Sequence, residues 1–143
     1  MIPRRVVFDT STLVSAALRA GSAPREALEV ALATCEICTS PETVEELRRV
    51  IARKRFERYL SAERRLEFAA MIAANTRLFA VPAWGVLGLG TGSRDPADNK
   101  FLALAHVAEA GVIISSDQDL LTLDPWRGAR VVGPGGFLKL LVG

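Results

Sequence analysis

The sequence predicts an α/β fold, a three-layer α/β/α sandwich around a central parallel sheet of about five strands. Short apolar runs alternate along the whole chain with longer segments of helical periodicity. Parallel strands need crossover helices of this kind to connect them. The runs Val6–Phe8 and Val112–Ile114 are continuously apolar, as in strands that are buried on both faces.

The individual elements of this pattern have recognisable bounds. The predicted strands are Arg5–Phe8, Cys35–Thr39, Leu78–Val81, Val112–Ser115 and Arg130–Val132. The predicted helices are Thr12–Ala20, Pro24–Ala33, Pro41–Tyr59, Ala62–Thr76, Pro96–Ala110 and Gly136–Leu141. Gly111 follows the fifth helix, at a place where glycine commonly ends helices. With 143 residues, half of them hydrophobic, the chain can bury one core, so we expect a single domain over residues 1–143.

Composition excludes several classes of protein. The net charge of +2 is too small to indicate a polyanionic partner by itself. No segment approaches the roughly 20 apolar residues that cross a bilayer, and the first residues do not resemble a signal peptide. We therefore expect a cytoplasmic protein with no membrane contact.

Two local motifs invite a functional interpretation that their context does not favour. Cys35 and Cys38 form a C-x-x-C pair inside a predicted strand, where their side chains point to opposite faces. A redox pair would instead open a helix, so we expect two reduced core residues. The glycine-rich segment Pro82–Arg94 neither follows the first strand nor carries the lysine of a phosphate-binding loop, so we expect a flexible loop near the active edge.

Acidic residues collect at the junctions between predicted strands and helices. With right-handed crossovers, all these junctions emerge on one edge of a parallel sheet, which is the edge where such folds bind ligands. Five of the six aspartates lie at these junctions, namely Asp9, Asp95, Asp98, Asp117 and Asp119. The opening turns of the helix after the second strand add Glu42, Glu45 and Glu46. We therefore expect acids from distant parts of the chain to converge.

Helix capping explains some of these acids. Aspartate is a favoured N-cap, and Asp95-Pro96-Ala97-Asp98 has the pattern of a helix start. Asp119 could likewise cap a short turn. Asp9 differs, because Ser11 or Thr12 could cap the next helix, and an acid at the end of a buried strand costs several kcal/mol unless it is paired. The same argument applies to Asp117.

A shared cation resolves the repulsion within such a cluster. Several carboxylates within a few ångströms cannot all ionise unless a cation joins them. Oxygen ligands favour Mg²⁺ or Mn²⁺ over zinc, and the single histidine, His106, lies inside a predicted helix. The sequence thus predicts a magnesium or manganese site at the carboxyl edge of the sheet.

Four stretches carry a resemblance to a known family: VVFDTSTLVSA, SPETVEELRRVI, RDPADNKFLALA and VIISSDQDLL. In their order and spacing the chain resembles the PIN-domain family of metal-dependent ribonucleases, especially VapC toxins of prokaryotic toxin–antitoxin modules. The resemblance implies a PIN-like fold and cleavage of RNA that leaves 5′-phosphate and 3′-hydroxyl ends. It also implies an antitoxin partner and a homodimer.

The resemblance also implies a set of site residues. The acidic quartet of the family falls on Asp9, Glu46, Asp98 and Asp117, with Asp119 as an additional acid of the same pocket. Helical periodicity does not separate Glu45 from Glu46, and the resemblance selects Glu46 through the E-L-R that follows S-P-E. Many relatives carry asparagine in place of Ser11; a serine can still bind a carboxylate or a metal-bound water. We expect Ser11 and Ser116 to be supporting polar residues.

The expected mechanism is metal-dependent hydrolysis of RNA. Asp9, Asp98 and Asp117 would hold one or two Mg²⁺ or Mn²⁺ ions, and Glu46 would bind directly or orient through water. Phosphate contacts would come from a basic helical arm that contains Arg48, Arg49, Arg53, Lys54 and Arg55, followed by Arg64 and Arg65. An ordinary solvated helix face explains this basic arm equally well.

Two alternatives to a nuclease remain open. The chain could be a catalytically silent interaction module that keeps the PIN fold. A haloacid-dehalogenase-like phosphatase also places an aspartate after its first strand, but it needs a second aspartate two residues later, where this chain has Ser11.

Overall fold

A five-stranded parallel sheet forms the centre of the protein. The computed structural model describes residues 3–142. The strands are β1 (Arg5–Phe8), β2 (Glu36–Thr39), β3 (Arg77–Leu78), β4 (Val112–Ile114) and β5 (Arg130–Val132). Their order is β3-β2-β1-β4-β5, and every neighbouring pair is parallel. The chain first builds the sheet outward from β1 through β2 to β3 and then returns to the other side of β1. The topological switch point, where such folds bind ligands, therefore lies between β1 and β4.

Helices cover both faces of this sheet. They are α1 (Thr10–Leu18), α2 (Ala23–Thr34), α3 (Pro41–Ile51), α4 (Ala62–Ala74), α5 (Asn99–Ala108), α6 (Gln118–Leu121) and α7 (Pro134–Val142). Val6 and Phe8 of β1 pack into a core with α1, α2, α3, α4 and α7. Val7 points to the opposite face and packs with α5 and α6. The predicted three-layer α/β/α architecture is confirmed. No helix within residues 3–142 is long and apolar enough to cross a membrane.

The two cysteines lie on opposite faces of the sheet, as predicted. Cys35 packs against the core on the α1 side, and Cys38 is buried in the core on the α5 side. Both thiols are free. Burial raises the pKa of the Cys38 thiol to about 11, which keeps it protonated and unreactive at neutral pH.

The basic arm differs from the predicted helix Pro41–Tyr59. α3 ends at Ile51, and a short 3-10 helix follows at Lys54–Phe56. The side chain of Arg65, only 2% exposed, enters this break from α4. Its guanidinium donates to the carbonyls of Ile51 (2.6 Å), Arg53 (3.2 Å) and Leu60 (3.0 Å). Arg65 therefore satisfies the carbonyls at the end of α3, and the expectation that it joins the exposed basic surface is wrong.

Several further elements are shifted from their predicted bounds, among them α1, which begins at Thr10 rather than Thr12. β3 is shorter than the predicted strand Leu78–Val81 and begins one residue earlier, because Arg77 and Leu78 pair with β2. The predicted fifth helix opens as a 3-10 turn at Pro96–Asp98 before α5 begins.

The glycine-rich segment is folded onto the α5 side of the protein. It contains a 3-10 helix at Trp84–Leu87, and Leu89 is buried. The ring of Trp84 stacks on that of Trp126 with 6.1 Å between centroids. A side chain at Gly92 would overlap Asn99, with its Cβ 2.1 Å from Oδ1. The segment therefore approaches the start of α5 closely.

Replacing Arg65 tests its capping role. Arg65→Met keeps most of the apolar volume but removes the guanidinium donor from the carbonyls of Ile51, Arg53 and Leu60, of which the Ile51 bond is buried. We expect the free energy of unfolding to fall by about 2–4 kcal/mol, measured by urea denaturation. Arg64→Met is the matched control, because Arg64 is exposed, and we expect it to change stability by less than about 0.5 kcal/mol. Equal stability of the two variants would contradict the role of Arg65.

Candidate metal centre

Three aspartates meet at the carboxyl edge of the sheet. Asp98 precedes α5, and Asp117 and Asp119 lie at the start of α6. Each offers a carboxylate oxygen that lies within 4.8 Å of the oxygens from the other two. We refer to these three residues as the acid cluster. Asp98 is buried, while the other two are partly exposed, so the cluster opens to solvent on the α6 side.

Asp9 lies beside the acid cluster at the end of β1. It is 2% exposed, and its Oδ2 accepts a hydrogen bond from Ser115 Oγ at 2.5 Å. Its Oδ1 accepts from the backbone N–H of Thr12 at 2.9 Å. Asp9 is therefore the N-cap of α1, and the expectation that Ser11 or Thr12 caps this helix is wrong. The extended backbone of Asp9 (φ −76°, ψ 165°) directs its carboxylate back toward the first turn of the helix.

Burial and a neighbouring charge perturb Asp9. Removal from water raises the pKa of its carboxyl, and repulsion from Asp117 raises it further. The hydrogen bonds from Ser115 and Thr12 oppose this shift without cancelling it. Ser115 connects the two strand ends, because its hydroxyl donates to Asp9 and accepts from the backbone N–H of Asp117.

The carboxyl of Asp98 interacts with that of Asp117 in the acid cluster. Burial, followed by the hydrogen bond and repulsion from Asp117, raises the pKa of Asp98 to about 7. Asp117 Oδ1 accepts from the backbone N–H of Asp119 at 2.9 Å, so Asp117 rather than Asp119 caps α6. Asp98 Oδ2 accepts from Ser93 Oγ at 3.3 Å. Two carboxylates this close do not ionise together readily unless a cation lies near them.

Glu46 lies on the same edge, outside the acid cluster. Its Oε2 accepts a hydrogen bond from Thr10 Oγ1, and its Oε1 accepts from Lys100 Nζ at 3.0 Å. Its side chain is 15% exposed, whereas Glu45 is exposed to solvent. The structure thus separates the two glutamates that periodicity left open and turns Glu46 toward Asp9.

The two predicted supporting serines make little contact with the acids. Ser11 is exposed, and its Oγ lies 3.4 Å from Asp9 Oδ1, a weak hydrogen bond. Ser116 is also exposed. The preceding residue, Ser115, is buried and binds both Asp9 and the backbone N–H of Asp117 at 2.9 Å. The sequence favours Ser116, although only the register against β1 decides which of the two adjacent hydroxyls points inward.

Further polar residues at this edge were missed by sequence reasoning. They are Thr10, Ser93, Ser115, Asn99 and Lys100. Thr10 and Ser115 lie next to predicted acids or strand ends, so their place in the sequence could have identified them as site residues. Ser93 and Lys100 gave none, because their contacts depend on how the glycine-rich segment and α3 fold against α5.

The predicted RNA-binding residues lie on the exposed surface of the arm. Arg48, Arg49, Arg53, Lys54 and Arg55 are all exposed. Arg49 is the one among them that approaches the site, with its guanidinium 4.0 Å from Glu46 Oε1. The surface is accessible to a polyanion, and this geometry also fits an ordinary solvated helix face.

The donor set at this edge fits a hard divalent cation. The acid cluster offers carboxylate oxygens alone, with no sulfur and no imidazole among the grouped atoms. Mg²⁺ and Mn²⁺ prefer such oxygen ligands, whereas zinc prefers nitrogen and sulfur. Burial and the neighbouring Asp117 both raise the pKa of Asp98, and a cation bound at this edge would oppose both effects.

Structures of known proteins share this fold at low sequence identity. VapBC2 from Rickettsia felis, bound to a DNA fragment from its promoter, matches with a TM-score of 0.64 and 11% identity over 90% of this chain and 98% of its own. PAE2754 from Pyrobaculum aerophilum matches with a TM-score of 0.63 and 13% identity, over 98% and 91% of the two chains. Mycobacterium tuberculosis VapC20, a sarcin-ricin loop cleaving toxin, matches with a TM-score of 0.57 and 17% identity, over 87% and 98%.

Comparison of the sequence with family models identifies the family more specifically than similarity of fold does. No curated protein matches the chain. The family model for the PIN domain, in contrast, matches residues 5–119, which include β1, β4 and every acid described above. Because this match covers most of the chain and agrees with the observed fold, the chain belongs to the PIN-domain family.

Proposed function

We propose that this protein is an endoribonuclease that depends on Mg²⁺ or Mn²⁺ and is the toxin of a toxin–antitoxin module. The observation that carries the proposal is the meeting of Asp98, Asp117 and Asp119 within 4.8 Å, with the buried Asp9 beside them. Such an arrangement of like charges is unfavourable unless it binds a cation.

The acids have separate roles in this proposal. Asp98, Asp117 and Asp119 would hold one or two ions, and Asp9 would complete the negative pocket from the β1 side. A bound divalent ion supplies a water of lowered pKa and stabilises charge on the phosphate. Ser115 and Ser93 hold the carboxylates of Asp9 and Asp98 in place through hydrogen bonds. Glu46 accepts a hydrogen bond from Thr10, the residue after Asp9, and would orient the site through that contact.

A water nucleophile is favoured over a protein nucleophile. His106 lies in the last turn of α5, about 12 Å along the helix from Asp98, so it cannot activate a serine at the acid cluster. A phosphatase with an aspartyl nucleophile would need a second acid where Ser11 stands. From the resemblance to the PIN-domain family, we propose that hydrolysis leaves 5′-phosphate and 3′-hydroxyl ends.

The choice of RNA as substrate rests on two supports. Arg49 and its exposed basic neighbours would contact phosphates near the site without selecting a sequence. Among the proteins of similar fold, VapC20 is a sarcin-ricin loop cleaving toxin. The VapBC complexes of Rickettsia felis and Salmonella typhimurium further suggest a cognate antitoxin. We also propose a homodimer that acts in the cytoplasm.

Cleavage of labelled single-stranded RNA in Mn²⁺ tests the activity. We expect Asp9→Asn and Asp117→Asn each to lower the rate by about 100-fold or more, because the ion supplies several kcal/mol and about 1.4 kcal/mol is tenfold. Asp124→Asn is the matched control, because Asp124 pairs with Arg130 at the opposite edge of the sheet. If the folded site variants cut as fast as the parent, the activity does not come from these acids.

Thermal melting tests the metal site without any substrate. We expect millimolar Mn²⁺ to raise the melting temperature of the parent by several degrees, because a ligand at 100 times its Kd adds about 2.7 kcal/mol of stability. Asp98→Asn should lose this shift and Asp124→Asn should keep it. A parent that binds Mn²⁺ yet cuts no RNA would indicate a catalytically silent PIN-fold module. If Mn²⁺ does not shift the melting temperature of the parent, the proposed metal site is wrong.

The metal-free protein should lose stability as pH rises. Asp98 has an ordinary pKa of 3.8 and a folded pKa of about 7, so the unfolded chain releases its proton first. The extra stability of the protonated form is complete below pH 3.8 and is lost as pH rises through 7; Asp9 acts in the same direction.

Melting in EDTA at about pH 5.5 and pH 8 measures this loss. We expect a melting temperature a few degrees lower at the higher pH in the parent and a smaller difference in Asp98→Asn. Glu36 and Asp124 have lowered pKa values, so they titrate below this pH interval and do not contribute to the difference. The same pH dependence in both proteins would show that Asp98 is not the group responsible.

A further inference from the structure

Lys100 lies near the start of α5, and its side chain is more buried and more fully hydrogen-bonded than is usual for a lysine on a helix. Its side chain is only 14% exposed, whereas Lys54 and Lys139 are exposed. Its ammonium donates to Glu46 Oε1 at 3.0 Å and to the carbonyl of Ala97 at 2.6 Å. Fixing a lysine side chain in one conformation costs up to about 2 kcal/mol of entropy, so this geometry needs compensating contacts.

The partners of Lys100 connect the surroundings of two acids. Ala97 directly precedes Asp98, and the other oxygen of Glu46 accepts from Thr10, which directly follows Asp9. A continuous path therefore runs from Asp9 through Thr10, Glu46 and Lys100 to the turn that carries Asp98. It joins the starts of α1 and α5 across α3, three elements that have no other shared side-chain hydrogen bond among the described residues.

The path also limits what Glu46 can do. Both of its carboxylate oxygens already have donors within the chain, and Glu46 is not among the acids that group within 4.8 Å. The charge of Lys100 is likewise paired with Glu46, which leaves it poorly suited to bind a phosphate of RNA. The main role of each side chain is therefore its contact with the other.

We infer that Lys100 and Glu46 form a positioning bridge that sets the separation of Asp9 and Asp98 at the nuclease site, with neither residue contacting RNA. The inference rests on the proposed function and deepens it. Lys100 acts through the Pro96–Asp98 turn, and Glu46 acts through Thr10. Removing one partner takes away the close counter-ion of the other, since Arg49 approaches Glu46 only to 4.0 Å, whereas removing both leaves neither charge behind.

A double-mutant cycle tests the bridge. We expect Lys100→Met and Glu46→Gln each to lower kcat by about 10- to 100-fold, as for residues that orient metal ligands, with KM changed by less than about 2-fold. The double variant should be no slower than the worse single variant, because the two act as one unit. A loss equal to the product of the single losses would overturn the inference.

Conservative and control variants separate positioning from substrate contact. Lys100→Arg keeps the charge and should stay within about 5-fold of the parent kcat, and the exposed Lys139→Met should equal the parent. A raised KM with unchanged kcat in Lys100→Met would mean that Lys100 binds RNA, which also overturns the inference. If Lys100→Met does not fold, Lys100→Arg and the double variant, which leaves no unpaired charge, still give the comparison.

Melting in Mn²⁺ without RNA keeps the two proposals apart. We expect the Mn²⁺ concentration that produces half of the thermal shift to rise about 10-fold in Lys100→Met and to stay unchanged in Lys139→Met. If the parent binds Mn²⁺ but cuts no RNA, the proposed nuclease activity is contradicted. The Mn²⁺ midpoint of Lys100→Met still tests the positioning bridge in that case. A parent that cuts RNA, with Lys100→Met unchanged in kcat and in metal midpoint, contradicts the bridge alone.

Discussion

Repulsion among buried carboxylates is the constraint around which the carboxyl edge of this sheet is built. Burial, together with the neighbouring Asp117, raises the pKa of Asp98 to about 7, and burial with a smaller contribution from Asp117 raises the pKa of Asp9. The reversal of strand order between β1 and β4 produces this convergence, since it leaves a crevice where helices diverge to opposite faces. A fold that collects acids in this way is under electrostatic strain that a divalent cation relieves.

Helix ends and hydroxyl groups offset part of that repulsion. Asp9 and Asp117 each cap the helix that follows them, where backbone N–H groups favour negative charge. Ser115 donates to Asp9 and accepts from the backbone of Asp117, so one hydroxyl serves both strand ends. For Asp117, capping and metal binding are not alternatives, because Oδ1 accepts from the helix while Oδ2 has no donor among the described residues. Both oxygens of Asp9 already accept hydrogen bonds, from Thr12 and from Ser115.

The surroundings of the acids are as constrained as the acids themselves. Arg65 ends α3 by binding three carbonyls, which fixes where the arm turns away from the site. On the other side Ser93 ties the glycine-rich segment to Asp98. Proteins with 11–17% identity share the overall fold, which shows that the topology tolerates replacement of most side chains.

The sequence by itself determined the fold class, the bounds of β1 and β5, and the placement of Asp9, Asp98, Asp117 and Asp119 at one edge. These follow from apolar periodicity and from the geometry of parallel strands, which act over a few residues at a time. The tertiary structure decided that α3 ends at Ile51 and that Ser115 rather than Ser116 supports Asp9. It also decided that Lys100 holds Glu46. The last two contacts join residues 106 and 54 positions apart, so no local preference specifies them and only the packed chain brings their side chains together.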